Sequence, residues 1–80
     1  MQSYLRVYGA RTCPDTRRSC RFLDDHAIKY KWFDVDEDAE ALELIKGVNG
    51  GNRAIPTIFF EDGSFTIDPT DEELGGKLGL

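Results

Sequence analysis

The sequence contains few cysteines, one histidine and no long apolar segment. Its 80 residues include 2 cysteines and 1 histidine, too few for the disulfide scaffold of a small secreted domain or for a four-ligand zinc site. No apolar run approaches the roughly 20 residues that span a bilayer, and no basic region followed by an apolar stretch opens the chain. We therefore expect a cytoplasmic protein without a structural metal ion or a membrane anchor.

Positive charge is also scarce. The chain has 10 lysines and arginines against 15 aspartates and glutamates, which gives a formal net charge of −5. A protein that binds nucleic acid needs a basic face to neutralise phosphates. The charge balance therefore argues against a nucleic-acid partner.

The chain is long enough for one small core. A polypeptide of this size buries only about 60% of the surface that its unfolded form exposes, and 40% of its residues are hydrophobic. We expect residues 1–80 to form one domain that folds alone and works as a monomer.

The apolar patterns predict an α/β fold. Residues rich in β-branched and aromatic side chains predict strands at 4–8, 30–35, 55–60 and 65–67, and helical spacing predicts helices at 14–25, 36–48 and 70–78. A helix between the first two strands makes them parallel, whereas the hairpin after residue 60 adds antiparallel strands. The order βαβαββα thus predicts a four-stranded mixed sheet flanked by three helices.

Cys13 lies where a strand-exit loop meets the first predicted helix. Pro14 follows it, and proline is favoured at the first helical position, so Cys13 is predicted to cap the helix. Unpaired N–H groups and the helix dipole at this end both favour a thiolate. Arginines add positive charge nearby in the sequence: Arg11, Arg17, Arg18 and Arg21. This combination indicates a nucleophilic cysteine and a negatively charged thiol substrate.

Several short motifs carry a resemblance to a known family. The residues 7–9 and 12–14 (Val-Tyr-Gly before Thr-Cys-Pro), the stretch 49–57 ending in Ile-Pro-Thr, and the turn 61–64 resemble those of glutaredoxins. Within the family the chain is most similar to the short bacterial, mycoredoxin-like branch. The resemblance covers nearly the full length and implies a thioredoxin fold and thiol–disulfide oxidoreductase activity.

The resemblance also implies the substrates and part of the site. It implies that the Ile55–Pro56 peptide bond is cis, faces the active cysteine and holds the substrate backbone. The expected partners are oxidised proteins and a low-molecular-weight thiol, glutathione or mycothiol, with no further cofactor. A carboxylate of that thiol is expected at a helix N-terminus formed by Thr70 and Asp71.

The sequence departs from the family at three places, two of which lie near the cysteine. Dithiol members carry a second cysteine three residues after the first, and this chain has Thr16 there, which indicates a monothiol site and a hydroxyl able to hydrogen-bond the thiolate. The lysine that glutaredoxins usually carry three residues before the cysteine is Ala10 here, with Arg11 next to it as a candidate substitute. The Gly-Gly-Asp element of the family is absent after the hairpin, where residues 68–71 take its place. The predicted thiol-binding residues are Arg11, Pro14, Thr16, Arg17, Ile55, Pro56, Thr70 and Asp71.

Cys20 leaves an alternative open. It lies seven residues after Cys13, about 10 Å along a helix, whereas a disulfide needs Cα atoms within roughly 7 Å. Cys20 is therefore either inert or, after the first helical turn opens, the resolving thiol of a dithiol reductase. Two other functions compete with the reductase: an iron–sulfur carrier, although the Cys-Gly-Phe-Ser motif of that branch is absent, and a redox-inactive adaptor for another enzyme.

Overall fold

The computed structural model describes residues 5–80. Their elements are β1 (Leu5–Gly9), α1 (Pro14–Asp25), β2 (Tyr30–Asp34), α2 (Ala39–Val48), β3 (Thr57–Phe59), β4 (Phe65–Ile67) and α3 (Asp71–Leu78). The order βαβαββα is the predicted one. Tyr4, which the sequence placed in the first strand, lies outside the described residues. No helix between residues 5 and 80 has the length and apolar character needed to cross a membrane.

The four strands form one mixed sheet in the order β2-β1-β3-β4. β1 is parallel to β2 and antiparallel to β3, and β3 is antiparallel to β4, which confirms the predicted sheet. Gly9 pairs with Asp34, and Tyr8 pairs with Thr57. The end of β1 therefore lies between the end of β2 and the start of β3, and the loops that leave these points meet at one edge of the sheet.

Helices cover both faces of the sheet. α1 and α3 pack on one face, where their residues Leu23 and Leu74 join a buried cluster with Leu5, Val7, Ile58 and Phe60. α2 packs on the other face, where Ala41 and Ile45 join Tyr8, Val35 and Phe59. Because side chains alternate along β1, Val7 belongs to the first cluster and Tyr8 to the second.

α2 begins at Ala39, three residues later than the sequence predicted. Asp34 holds the preceding residues in a turn: its carboxylate accepts the Asp36 N–H at 2.9 Å, and its carbonyl accepts the Asp38 N–H at 2.9 Å. Asp38 then caps the helix by accepting the Ala41 N–H at 3.1 Å. The predicted start at Asp36 is wrong because aspartate side chains compete with helical bonding for backbone N–H groups.

The C-terminal part follows the sequence signals closely. β3 is shorter than the predicted 55–60, since Pro56 has no N–H to donate to the ladder. In α3, Thr70 Oγ1 accepts the Glu73 N–H at 3.1 Å, and the Glu73 carboxylate accepts the Thr70 N–H at 2.9 Å. This reciprocal capping confirms the predicted start of the last helix.

We predict that Ala27→Gly stabilises the fold. Ala27 follows α1 with φ of 55°, a left-handed conformation in which a Cβ is unfavourable, so glycine should raise the free energy of unfolding by about 0.5–1 kcal/mol. Urea denaturation measures the change. Ala39→Gly, at an exposed helical alanine, is the matched control and should lower stability instead. A loss of stability in Ala27→Gly would contradict the prediction.

Candidate functional site

Cys13 is the N-cap residue of α1, as predicted. Its backbone is extended (φ −84°, ψ 119°), and its side chain makes no capping hydrogen bond. The Cys13 N–H donates to the Ala10 carbonyl at 3.0 Å, and the Cys13 carbonyl accepts the Arg17 N–H at 3.0 Å. The residue as a whole is half-buried. A fixed backbone therefore presents this thiol at the positive end of the helix, where N–H groups of the first turn stabilise negative charge.

The first turn of α1 lies directly against the end of β1. Thr16 is 1% exposed, and its Oγ1 accepts the Ala10 N–H at 3.4 Å. A Cβ placed on Gly9 would lie 2.5 Å from Thr16 Cγ2, so only glycine fits at the end of the strand. In the structure the Thr16 hydroxyl is hydrogen-bonded to the Ala10 N–H rather than to Cys13. Thr16 thus packs the loop that carries the cysteine.

The Ile55–Pro56 peptide bond is cis, as the resemblance implies. Pro56 is buried and immediately precedes β3, whose first residue, Thr57, pairs with Tyr8 near the end of β1. The Pro56 carbonyl accepts the Asp68 N–H at 2.7 Å. The proline segment is therefore tied to the residues after β4 and lies at the same edge of the sheet as the Cys13 loop.

Arg18 connects α1 to the start of α3. Its guanidinium donates to Asp15 at 3.2 Å and to the Pro69 carbonyl at 3.1 Å, and lies 3.7 Å from both Asp68 and Asp71. Asp68 has φ of 46°, a left-handed conformation that is uncommon for residues other than glycine but that aspartate adopts more readily than most. Arg18 therefore holds the segment that replaces the glycine-rich element of the family, a contact that the sequence did not predict.

Only some of the N–H groups at the N-terminus of α3 are available to bind a carboxylate. The N–H groups of Thr70 and Glu73 are occupied by the capping box, and the Asp71 carboxylate faces Arg18 at 3.7 Å. The N–H groups of Asp71 and Glu72 are the first-turn donors outside this box. These two groups are the ones that the predicted carboxylate site at Thr70 and Asp71 would use.

A groove of about 380 Å³ lies between α1 and β2. Its walls combine cationic, aromatic and thiol side chains: Arg11, Thr16, Arg17, Cys20, Tyr30 and Trp32. The Arg11 guanidinium lies over the Trp32 ring, 5.6 Å from its centroid, and Arg17 donates to the Arg11 carbonyl at 3.3 Å. Two predicted thiol-binding arginines therefore meet here, on the β2 side of the Cys13 loop.

Sequence reasoning missed the two aromatic residues of this groove. Tyr30 and Trp32 pair with Leu5 and Val7 in β1 and so face the side of the sheet that α1 covers. Their spacing of two residues in a predicted strand was the available signal. This spacing placed both side chains on one face of the sheet, but it did not show that α1 covers that face.

Cys20 differs from Cys13 in its surroundings. It packs against the apolar cluster beneath α1, and burial raises the pKa of its thiol, although a hydrogen bond with the Tyr30 hydroxyl opposes the shift. Burial also raises the pKa of Tyr30. Both cysteines are free thiols. At neutral pH Cys20 is therefore protonated and a poor nucleophile.

Comparisons with known proteins agree with this geometry. The glutaredoxin family model matches residues 5–65. The chain is 37% identical over 76 residues to mycoredoxin 1 of Corynebacterium glutamicum, covering 95% of this chain and 94% of the relative. It is 35% identical over 74 residues to Rv3198A of Mycobacterium tuberculosis, which is named as a glutaredoxin, with coverage of 92% and 88%.

Solved structures share the fold. A glutaredoxin from Archaeoglobus fulgidus superposes with a TM-score of 0.77 at 21% identity, covering 96% of this chain and 87% of its own. The thioredoxin-like protein BC3987 gives a TM-score of 0.78 at 26% identity, with coverage of 90% and 96%. The predicted thioredoxin fold is confirmed.

We predict that Gly9→Ala destabilises the protein by about 1–3 kcal/mol, since the added methyl group overlaps Thr16 in a closely packed site. Replacing Thr16 by alanine removes the overlapping atoms, so Gly9→Ala should cost much less in a Thr16→Ala background. Urea denaturation of the two single variants and the double variant gives the coupling energy. Additive effects would show that the two positions do not touch.

We predict that the two thiols differ in the pH dependence of their alkylation. In Cys13→Ser, iodoacetamide should react slowly with Cys20 at pH 7 and at a rate that still rises above pH 9, because burial moves the pKa of Cys20 above its ordinary value of 9.0. In Cys20→Ser, Cys13 should react faster at pH 7. Two indistinguishable profiles would remove the basis for assigning the nucleophile.

Proposed function

Because the chain belongs to the glutaredoxin family, we propose that it is a monothiol oxidoreductase that reduces mixed disulfides between proteins and a low-molecular-weight thiol. The observation that supports this most directly is the position of Cys13. Its thiol stands at the start of α1, unused in capping, at the sheet edge where the cis Ile55–Pro56 segment enters β3. That arrangement supplies a nucleophile and a neighbouring backbone that can hold a disulfide substrate.

The proposed reaction has two exchange steps. The Cys13 thiolate attacks the sulfur of the small thiol in the mixed disulfide, the S–S bond breaks, and the protein leaves as a thiolate that takes up a proton. Cys13 now forms a disulfide with the small thiol. A second small-thiol molecule, as its thiolate, attacks the sulfur of the bound one, so Cys13 is released and the oxidised small-thiol dimer leaves. The net reaction converts one mixed disulfide and one reduced small thiol into the reduced protein and the oxidised small-thiol dimer, so a single small thiol supplies the electrons that reduce the protein sulfur.

We propose mycothiol as the small thiol. The support is the similarity to mycoredoxin 1 over 95% of the chain. In the cytoplasm, the location that the sequence predicts, a pool of reduced small thiol would drive the second step without a further cofactor. We propose that the monomer binds this thiol on the β3 side of Cys13, with Pro14, Ile55 and Pro56 beside its sulfur and the N-terminus of α3 beyond them.

The surroundings of Cys20 favour the monothiol route over the dithiol route. A resolving cysteine must form a thiolate near the mixed disulfide, whereas the pKa of Cys20 is raised by burial. Seven residues of helix also separate it from Cys13, about 10 Å along the axis. We therefore assign the resolving step to the small thiol.

We predict that Cys13→Ser lowers the turnover of a peptide–mycothiol mixed disulfide by a factor on the order of a thousand or more, because it removes the attacking sulfur. Cys20→Ser should retain most of the activity. Mass spectrometry of wild-type protein treated with oxidised mycothiol should show one adduct, on Cys13.

Three results would contradict the proposal. Turnover retained in Cys13→Ser would point to an adaptor. An internal Cys13–Cys20 disulfide as the main oxidised product would replace the monothiol route by a dithiol one. Visible absorbance in anaerobically purified protein would point to iron–sulfur carriage.

A further inference from the structure

The groove between α1 and β2 presents hydrogen-bond donors over an aromatic floor. Arginine and tryptophan side chains donate hydrogen bonds and accept none, and the groove holds two arginines and Trp32. The Trp32 Nε1–H is itself buried and has no acceptor within residues 5–80, so Trp32 contributes its ring to the groove while the arginines contribute the exposed donors. The Tyr30 hydroxyl lies beside the Cys20 thiol and opposes the rise of its pKa. An occupant that complements this lining brings acceptors and negative charge.

The two arginines are available to such an occupant. Arg11 lies 3.8 Å from the Asp34 carboxylate, but its side chain is 74% exposed, so that ion pair contributes little. Arg17 is exposed and donates to a backbone carbonyl, and no carboxylate in the described part of the chain lies within ion-pair distance of it. An incoming carboxylate would therefore face two guanidinium groups that are weakly engaged.

The groove lies on the opposite side of Cys13 from the proposed small-thiol site. β2 is next to β1 on one side, and β3 with the cis proline segment is next to it on the other. A mixed disulfide has two arms, one on each sulfur. Because Cys13 attacks the small-thiol sulfur nearly in line with the S–S bond, the protein sulfur lies beyond the small thiol, and the chain that flanks the protein cysteine is the part that can extend across Cys13 to the β2 side. The helix from Cys13 to Cys20 spans about 10 Å, the length of about three extended residues.

We propose that this groove binds an acidic, extended segment of the protein substrate, next to the cysteine whose disulfide Cys13 attacks. Carboxylates of that segment pair with Arg11 and Arg17, and its side chains pack on Trp32. The inference rests on the proposed function and adds a substrate class to it: proteins modified at cysteines with acidic neighbours. The protein has a net charge of −5, so most of its surface repels acidic chains. The guanidinium groups of Arg11 and Arg17 would therefore direct an acidic segment to this groove.

A binding experiment tests the groove independently of turnover. We would titrate the Cys13→Ser variant with two capped pentapeptides that carry a central S-methylcysteine flanked by either glutamates or glutamines. Trp32 is the chain's single tryptophan, so its fluorescence and its indole N–H resonance report on the groove alone. We expect the glutamate peptide to shift both signals and to bind about fivefold more tightly than the glutamine peptide.

Variants identify the groups responsible. Arg17→Gln, and independently Arg11→Gln, should remove most of the preference for the glutamate peptide, as should 0.5 M salt. Arg18→Gln is the matched control, since it removes the same charge from the neighbouring position of the same helix, where the side chain is engaged with Asp15, Asp68 and Asp71. It should leave the ratio of the two affinities unchanged.

Kinetics separates the protein arm from the small thiol. With mycothiol mixed disulfides of the same two peptides, kcat/KM should favour the glutamate peptide in wild type and not in Arg17→Gln, whereas the KM for reduced mycothiol should stay the same. Equal affinities for the two peptides, a preference that survives in both arginine variants, or a raised KM for mycothiol would overturn the inference. Turnover retained in Cys13→Ser would overturn the proposed function instead, and the binding result would still stand.

Discussion

The close approach between the end of β1 and the first turn of α1 is the constraint on which the site depends. Gly9 has no side chain, and Thr16 fills the space that a Cβ would take. Because the Thr16 hydroxyl also accepts the Ala10 N–H, the backbone of residues 11–13 has few alternative conformations. Cys13 is consequently fixed at the helix start by packing, while its own side chain is left without a structural task.

Charge is arranged around this helix in two separate groups. Arg18 is engaged with carboxylates of α1, the segment after β4 and α3, and so stabilises the contact between two helices. Arg11 and Arg17 lie on the other side, at the β2 groove, with weaker partners. Of the four arginines near Cys13 in the sequence, Arg18 thus stabilises the contact between two helices, and Arg11 and Arg17 lie at a surface that a ligand can reach.

Sequence patterns predicted the fold well because its signals are local. The Thr70 and Glu73 pair marks a helix start through bonds within four residues, and the alternation in β2 determines which side chains share a face. The start of α2 was misplaced because Asp34, a residue of the preceding strand, holds residues 36–38 in a turn. The sequence also did not predict where the Arg18 side chain points or that Cys20 contacts Tyr30. Both depend on side chains that meet only after separate elements have packed, and long flexible side chains leave no periodic signal of their direction.

The central position of β1 has a consequence for synthesis of the protein. Its neighbours are β2, about 25 residues later in the chain, and β3, about 50 residues later. A nascent chain that has left the ribosome only as far as the end of α2 contains α1 and α2, but its β1 strand still lacks the antiparallel neighbour β3. Since the apolar cluster under α1 is completed by Ile58, Phe60 and Leu74, stable folding waits until these residues have left the ribosome. Until then the thiol of Cys20 is not enclosed by its final neighbours, so it is more open to oxidation in the unfinished chain than in the finished one.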